Sequence, residues 1–215
     1  MPPNIDEIWV FRMISIQNLM HDLQNGLYSK NTAVPNPAYI GIGSQEIIGR
    51  RDVVHVKCYP QTVVNDYVPF YFSVRTPMLF NIKTGMGVPA TPQDDIVYLC
   101  CRLTSLTTTD FQWCFTEGNA AKAITQFFID LKDLDKLDWT SIITHDFQNY
   151  NADGDEDRVR KKHAEFLVKD HLPTRYIQAI VVKTCAVQVG IKELLNQLSL
   201  NIPIHINPKQ KFYFL

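Results

Sequence analysis

The chain opens on an apolar, β-prone run and then changes period. Residues 8–13, with Trp9, Val10 and Phe11, suit a half-buried strand. Ser15 follows as an N-cap candidate. Ile16, Leu19, Met20 and Leu23 then recur at i, i+3, i+4 and i+7, a helical stripe that Asn25-Gly26 ends. Residues 29–43 hold Pro35, Pro37, Gly41 and Gly43 without a periodic apolar cluster, which predicts a long loop of the kind that is often functional. A short helix is predicted over 44–51, with Ile47 and Ile48 inward and Arg50-Arg51 at its end. Strands are predicted at 53–56, 67–72, 78–82, 96–102, 166–168, 177–182, 202–206 and 212–214. Helices are predicted at 187–198 and at 119–131, the latter on the four-residue spacing of Ala123, Phe127 and Leu131. Helices interrupt the strands without regular alternation, so the pattern predicts an α+β fold rather than a doubly wound parallel sheet. No repeat or linker divides the 215 residues, a length suited to one domain.

Charge narrows the classes. Lys and Arg total 21 against 22 Asp and Glu, which argues against a globally basic nucleic-acid binder and leaves room for a local basic groove. No apolar run approaches the ~20 residues of a membrane helix. The acidic Met1-Pro2-Pro3-Asn4-Ile5-Asp6-Glu7 start does not read as a signal peptide. The five cysteines, Cys58, Cys100, Cys101, Cys114 and Cys185, are odd in number and not spaced as a disulfide framework, so a reduced, cytoplasmic setting is expected.

Most familiar motifs fail. Gly41-Ile42-Gly43 begins like a dinucleotide fingerprint, but Glu46 stands at the third glycine position, and no phosphate-binding loop ending in Lys-Ser/Thr exists. Asp153 to Asp157 imitates a calcium loop, yet Arg158 and Ala164 replace the required Gly and Glu, so a solvated acidic turn is the better reading. Cysteine and histidine spacings match no zinc site, and no metal is expected. Three features survive: Arg12 with Ser15 and Asn18, Arg50-Arg51 beside the loop, and Glu165 after the basic run Arg158-Val159-Arg160-Lys161-Lys162. Position alone leaves two readings of Glu165. It is either a surface strand-edge carboxylate paired with a neighbouring lysine, or a functional carboxylate in a basic neighbourhood that attracts polyanions. The basic run is likewise either a solvated helix face or a phosphate contact.

Larger blocks extend the picture. They are Ile16-Gln17-Asn18-Leu19 with Gly26-Leu27, Asp66-Tyr67-Val68-Pro69-Phe70-Tyr71-Phe72, Arg75-Thr76-Pro77-Met78-Leu79, Phe115-Thr116-Glu117-Gly118, Leu134-Asp135-Lys136-Leu137-Asp138-Trp139 and Ala164-Glu165-Phe166-Leu167-Val168. In these the chain resembles the DarT-type DNA ADP-ribosyltransferases, the toxin half of the DarT–DarG toxin–antitoxin pairs. The resemblance implies one ADP-ribosyltransferase-like domain over 1–215, with two packed, mostly antiparallel sheets, flanking helices and an NAD cleft. It implies NAD as co-substrate, single-stranded DNA as acceptor with thymine favoured, and an antitoxin partner with ADP-ribosyl-hydrolase activity. Guanine, a protein target, or a non-catalytic single-strand binding module are the alternatives.

Position by position, Glu165 matches the catalytic glutamate and Arg51 the assisting arginine, with Arg50 the less favoured register. The 34–53 stretch matches a loop that closes over NAD, and 116–165 a segment that shapes the substrate side. Arg12, Met13, Ile14, Asn18, Leu27, Arg51 and Tyr71 are the expected NAD contacts. Arg75, Arg158, Arg160 and Lys161 are the expected phosphate contacts on the nucleic acid. Arg12, Ser15 and Asn119 stand where the family commonly has histidine. The implied chemistry has Glu165 hold the ribose 2′-hydroxyl, stabilise the oxocarbenium-like transition state and then help remove the thymine N3 proton. Arg51 acts electrostatically, and a strand-front Glu165 is expected to add little to stability.

Overall fold

The computed structural model describes residues 3–34, 36–145 and 154–215. β1 (Trp9–Ser15) leads through a single 3-10 turn into α1 (Leu19–Asn25), and Ser15 Oγ accepts the Gln17 N–H at the junction. β2 (Leu27–Tyr28) precedes the long loop, which ends in α2 (Gln45–Arg51). β3 (His55–Val56) and β4 (Tyr59–Val63) form a hairpin, followed by β5 (Tyr67–Tyr71), α3 (Pro77–Thr84), β6 (Ile96–Arg102) and α4 (Leu103–Thr107). β7 (Trp113–Thr116), β8 (Phe127–Phe128), α5 (Trp139–Ile143), α6 (Arg158–Lys161) and β9 (Glu165–Lys169) make up the middle of the chain. β10 (His171–Leu172), β11 (Ala179–Val182), α7 (Cys185–Gln197) and β12 (Ile204–Ile206) close it.

Eight strands order as β12-β11-β6-β1-β5-β9-β7-β8, all antiparallel neighbours except β11 and β12. The order divides naturally into two halves, because β1 and β5 meet at one registered pair, Phe11 with Tyr71. This is how the expected pair of sheets is realised. Both halves feed one core: Val10, Ile14, Val97, Leu99 and Ile180 from the first, Val68, Phe70, Phe115, Phe166 and Val168 from the second. Burial of such side chains, at roughly 1.5–3 kcal/mol each, is what holds the halves together. Behind the cleft, Gly26 (φ +84°) lets β2 close on β10, since a Cβ there would stand 2.4 Å from His171 Nε2 and 2.6 Å from the Leu172 carbonyl oxygen.

Several local expectations give way to context. Residues 78–82 are helical, in α3: Thr76 Oγ1 accepts the Leu79 N–H, Pro77 occupies the first turn and Gly85 (φ +76°) ends it. The expected helix over 119–131 is a loop leading to β8. Asn119 Oδ1 takes the Ala121 N–H, Thr125 Oγ1 donates to the Asn119 carbonyl, and Lys57 Nζ takes the carbonyls of Ala123 and Thr125, so these groups are withdrawn from an i to i+4 ladder. Residues 212–214 form no strand; side chains satisfy their backbone, as Gln93 pairs both ways with Phe214 and Arg75 Nε donates to the Tyr213 carbonyl. Of 53–56, only His55–Val56 is strand. The start of the acidic Asp153–Asp157 turn lies outside the described residues. Among the described residues, no helix is long and apolar enough to cross a membrane.

Candidate active site

Glu165 is the first residue of β9, directly opposite Tyr71 of β5. The two-residue period of the strand sends Phe166 and Val168 into the main core and Leu167 to the other face, beside Cys114 and Ala120; Glu165 shares the Leu167 face. The surface reading of Glu165 is thereby corrected. The side chain is 1% exposed, and its partner is Arg51, 114 residues earlier, rather than a neighbouring lysine. Arg51 NH1 donates to Glu165 Oε2 at 2.8 Å, and the Ala120 N–H donates to Oε1 at 2.9 Å. The Glu165 N–H donates to Thr116 Oγ1, whose hydroxyl donates to the Gly118 carbonyl. A buried carboxylate requires such pairing, because an unpaired one costs several kcal/mol. The expectation that Glu165 adds little to stability falls for the same reason.

α2 delivers Arg51. Ser44 caps its start, and Asn65 holds its end by donating to the Ile48 carbonyl (2.8 Å) and to Asp52 Oδ1 (2.6 Å), while Lys30 pairs with Asp52 Oδ2. Arg50 points away and pairs with Glu46 on the exposed face. The loop before α2 is pinned by Asn18, fully buried, which donates to the Ile40 carbonyl (2.9 Å) and accepts the Ile40 N–H (2.8 Å).

A cleft of about 1300 Å³ opens beside the pair. Arg12, Met13, Leu27, Arg51 and Tyr71 line it, together with loop residues 39 and 41–45; Ile14, Asn18 and Glu165 do not reach its wall. Ile14 is a core residue paired with Val97 of β6, and Asn18 acts on the cleft through Ile40. Arg51 therefore stands between the cleft and Glu165. Its NH2 is buried without a hydrogen-bond partner among the described residues, and so is Arg12 Nε, although Arg12 NH1 donates to the Pro69 carbonyl. Two orphaned guanidinium nitrogens at one cleft suit an anionic or carbonyl-bearing ligand. The Tyr71 hydroxyl donates to Met78 Sδ at 3.3 Å, and burial, then the Glu165 charge, pushes its pKa far up, so it serves as a neutral wall and donor.

The basic run is neither a solvated face nor a row of open cations. Arg158 is buried at 6% exposure. Arg160 pairs with Glu117 and Asp157 at 2.6 Å each, and its guanidinium lies over Gly118, where a Cβ would come within 2.4 Å of NH1. Lys161 pairs with Asp138 and Asp155. Arg160 reaches the cleft wall, whereas Arg75, Arg158 and Lys161 do not. Arg75 is turned to the Tyr213 and Gln210 carbonyls. Lys162, the last of the run, is buried at 1% exposure with Nζ on Ser73 Oγ and the Ile142 and Thr144 carbonyls, and burial lowers its pKa to about 8. Asn65 and the Ala120 N–H were silent in the sequence, because their roles depend on neighbours distant along the chain.

Comparison with known proteins agrees with this geometry. The sequence profile described as "ssDNA thymidine ADP-ribosyltransferase, DarT" matches residues 11–214. A DNA ADP-ribosyl transferase of Escherichia coli O127:H6 is 30% identical over 203 residues, 94% of this chain and 92% of the relative. The structure of Thermus sp. 2.9 DarT in complex with ADP-ribosylated ssDNA superposes with a TM-score of 0.85 at 27% identity, covering 100% of both chains; the same protein in complex with NAD+ gives 0.83 at 24%. A DNA ADP-ribosyl transferase–DNA ADP-ribosyl glycohydrolase fusion protein of Thermosipho africanus is 27% identical over 198 residues, 85% of this chain and 47% of the fusion. A profile match across almost the whole length, on a fold shared end to end, places this chain in the DarT family of single-stranded-DNA thymidine ADP-ribosyltransferases.

Proposed function

We propose that this protein transfers ADP-ribose from NAD to the N3 of thymine in single-stranded DNA and releases nicotinamide. The observation that carries this reading is the buried Arg51–Glu165 pair behind a cleft large enough for a dinucleotide, with two guanidinium nitrogens left without partners. Glu165 lies behind Arg51 and off the cleft wall, so it meets the sugar once bound NAD displaces the Arg51 guanidinium; it then accepts the ribose 2′-hydroxyl and stabilises positive charge on the sugar as the bond to nicotinamide breaks. The thymine N3–H must lose its proton as the new bond forms, and Glu165 takes it. A guanidinium is too weak an acid to serve as a proton acceptor, so the part of Arg51 is electrostatic: it orients a phosphate or a thymine carbonyl. A single strand is the sensible acceptor, because the N3 edge is hidden in a duplex.

The site residues divide by what they touch. Arg12, Met13, Leu27, Arg51 and Tyr71 hold NAD, and the 34–53 stretch closes over it. The 116–165 stretch shapes the acceptor side through Ala120, Arg160 and Lys162. The reading carries with it a cytoplasmic toxin; a hydrolase antitoxin as its partner is supported by the match to 47% of a fusion protein that joins a DNA ADP-ribosyl transferase to a DNA ADP-ribosyl glycohydrolase.

The test is mass spectrometry of a mixed-sequence single-stranded oligonucleotide incubated with the protein and NAD. One ADP-ribose unit mapped to thymine is the expected result. An adduct on guanine changes the specificity, and an adduct on protein alone overturns the reading. Asn18→Ala tests the loop: with both Ile40 bonds lost, at about 1–2 kcal/mol, the KM for NAD should rise roughly 5–30-fold with little change in kcat. An unchanged KM would separate the loop from NAD binding.

A further inference from the structure

Four basic side chains outside the cleft converge at one of its ends. Lys162 Nζ bonds to Ser73 Oγ (3.1 Å) and to the carbonyls of Ile142 (2.9 Å) and Thr144 (2.5 Å), which brings the 142–145 segment over the turn at 73–75. Arg75 Nε donates to the Tyr213 carbonyl (2.8 Å) and its NH2 to the Gln210 carbonyl, which brings 210–213 to the same turn. Asn207 Oδ1 accepts the Phe212 N–H (2.9 Å) and steadies Lys211 beside them. His145 and Lys211 are exposed, and Arg75 is half-buried. No Asp or Glu among the described residues pairs with Arg75, His145 or Lys211, whereas Arg160 and Lys161 are each held by two. The mutual strain is visible at His145: slight burial, then the charges of Arg75, Lys162 and Lys211, hold its pKa below the ordinary histidine value. Like charges gathered without a counter-charge are costly, and an anion between them removes that cost.

The position indicates which anion. Arg75 lies two residues before Pro77, and Lys162 one residue before His163; both Pro77 and His163 are on the cleft wall. The cluster therefore borders the cleft on the side where the 116–165 segment ends. We infer that Arg75, His145 and Lys211 form a phosphate-binding rim that carries the backbone of the single-stranded DNA flanking the reacting thymine. This rests on the functional reading above and deepens it, replacing Arg158, Arg160 and Lys161 as the phosphate contacts with two cations, Arg75 and Lys211, that no carboxylate among the described residues neutralises, and with the exposed His145 ring as a hydrogen-bond donor beside them. With a net charge of −1 over the whole chain, affinity for a strand must come from such a local patch.

Lys211→Glu tests the rim, with Lys192→Glu, on an exposed position of α7, as an equal change of charge elsewhere. For a long oligonucleotide at about 0.1 M salt, Lys211→Glu should raise KM roughly tenfold or more, with a much smaller effect on kcat, and the difference from wild type should shrink as salt rises. A trinucleotide centred on the same thymine should show a smaller effect, and Lys192→Glu should resemble wild type. An unchanged KM in Lys211→Glu, with an unchanged thermal midpoint, overturns the rim. If the wild type modifies no oligonucleotide, the functional reading fails instead. Anisotropy of a labelled oligonucleotide then still decides the rim, by weaker binding or none lost in Lys211→Glu.

Discussion

Glu165→Gln should reduce ADP-ribosyl transfer by on the order of 10²–10³-fold while the protein still folds. The amide keeps the volume of the side chain and an oxygen for the Ala120 N–H, but its NH2 then meets Arg51 NH1 donor to donor, so the buried cation loses its counter-charge and the thermal midpoint should fall along with the rate. Transition-state stabilisation of a developing cation depends on that charge, whereas the strand and its packing do not. Glu165→Ala is a poorer experiment. It opens a void in a site that is 1% exposed and leaves Arg51 as a buried cation without its partner, at about 3–5 kcal/mol, so lost activity would be confounded with lost fold. The checks are the initial rate on a thymine-containing oligonucleotide and the thermal midpoint, measured on both variants. Near wild-type transfer by Glu165→Gln would remove Glu165 from the chemistry.

Arg51 carries the second large effect, and it separates into two parts. Arg51→Lys retains the positive charge beside Glu165, so the midpoint should fall only modestly. It loses the planar fork whose second nitrogen is buried without a partner among the described residues, and turnover should drop roughly 10²-fold. Arg51→Met leaves Glu165 buried with only the Ala120 N–H, and should cost about 3–5 kcal/mol of stability as well as activity. Adding Glu165→Leu to Arg51→Met should then restore much of the stability, because replacing both members of a buried pair by apolar groups is often neutral or favourable, while transfer stays abolished. The readout is a double-mutant cycle in denaturant midpoints alongside oligonucleotide modification. A double variant no more stable than Arg51→Met alone would show that the pair is not the source of the cost.

Both predictions rest on a contact between residues 51 and 165, and spacing along the chain does not encode such contacts. The strand at Phe166–Val168 is legible from its apolar run, and Arg51 from its place at the end of a short helix. That the two meet depends on Asn65 holding α2 and on β9 lying beside β5. The resemblance, carried over position by position, named Glu165 and Arg51 without showing that Glu165 is enclosed. The basic run at 158–162 misleads for a related reason: of its partners, Asp155 and Asp157 lie just before it in the acidic turn, whereas Glu117 and Asp138 come from distant segments that only the folded chain brings close. The helix expected at 119–131 fails because Lys57 and Glu165 claim its backbone groups from outside. The strand expected at 78–82 is a different error, since Thr76-Pro77 and Gly85 already mark a helix locally.

The features legible before folding are local and periodic: β1 leading into α1, the α2 helix, β5, β6 and α7, an α+β class, and blocks specific enough to point to a family. These follow from side-chain period, capping and turn chemistry within a few residues. Folding alone set the enclosure of Glu165 by Arg51, the pairing of Arg160 with Glu117 and of Lys161 with Asp138, and the gathering of Arg75, His145 and Lys211 near the turn at 73–75. Each of these is a balance of charge and desolvation between segments far apart along the chain, and that balance exists only once the chain has folded.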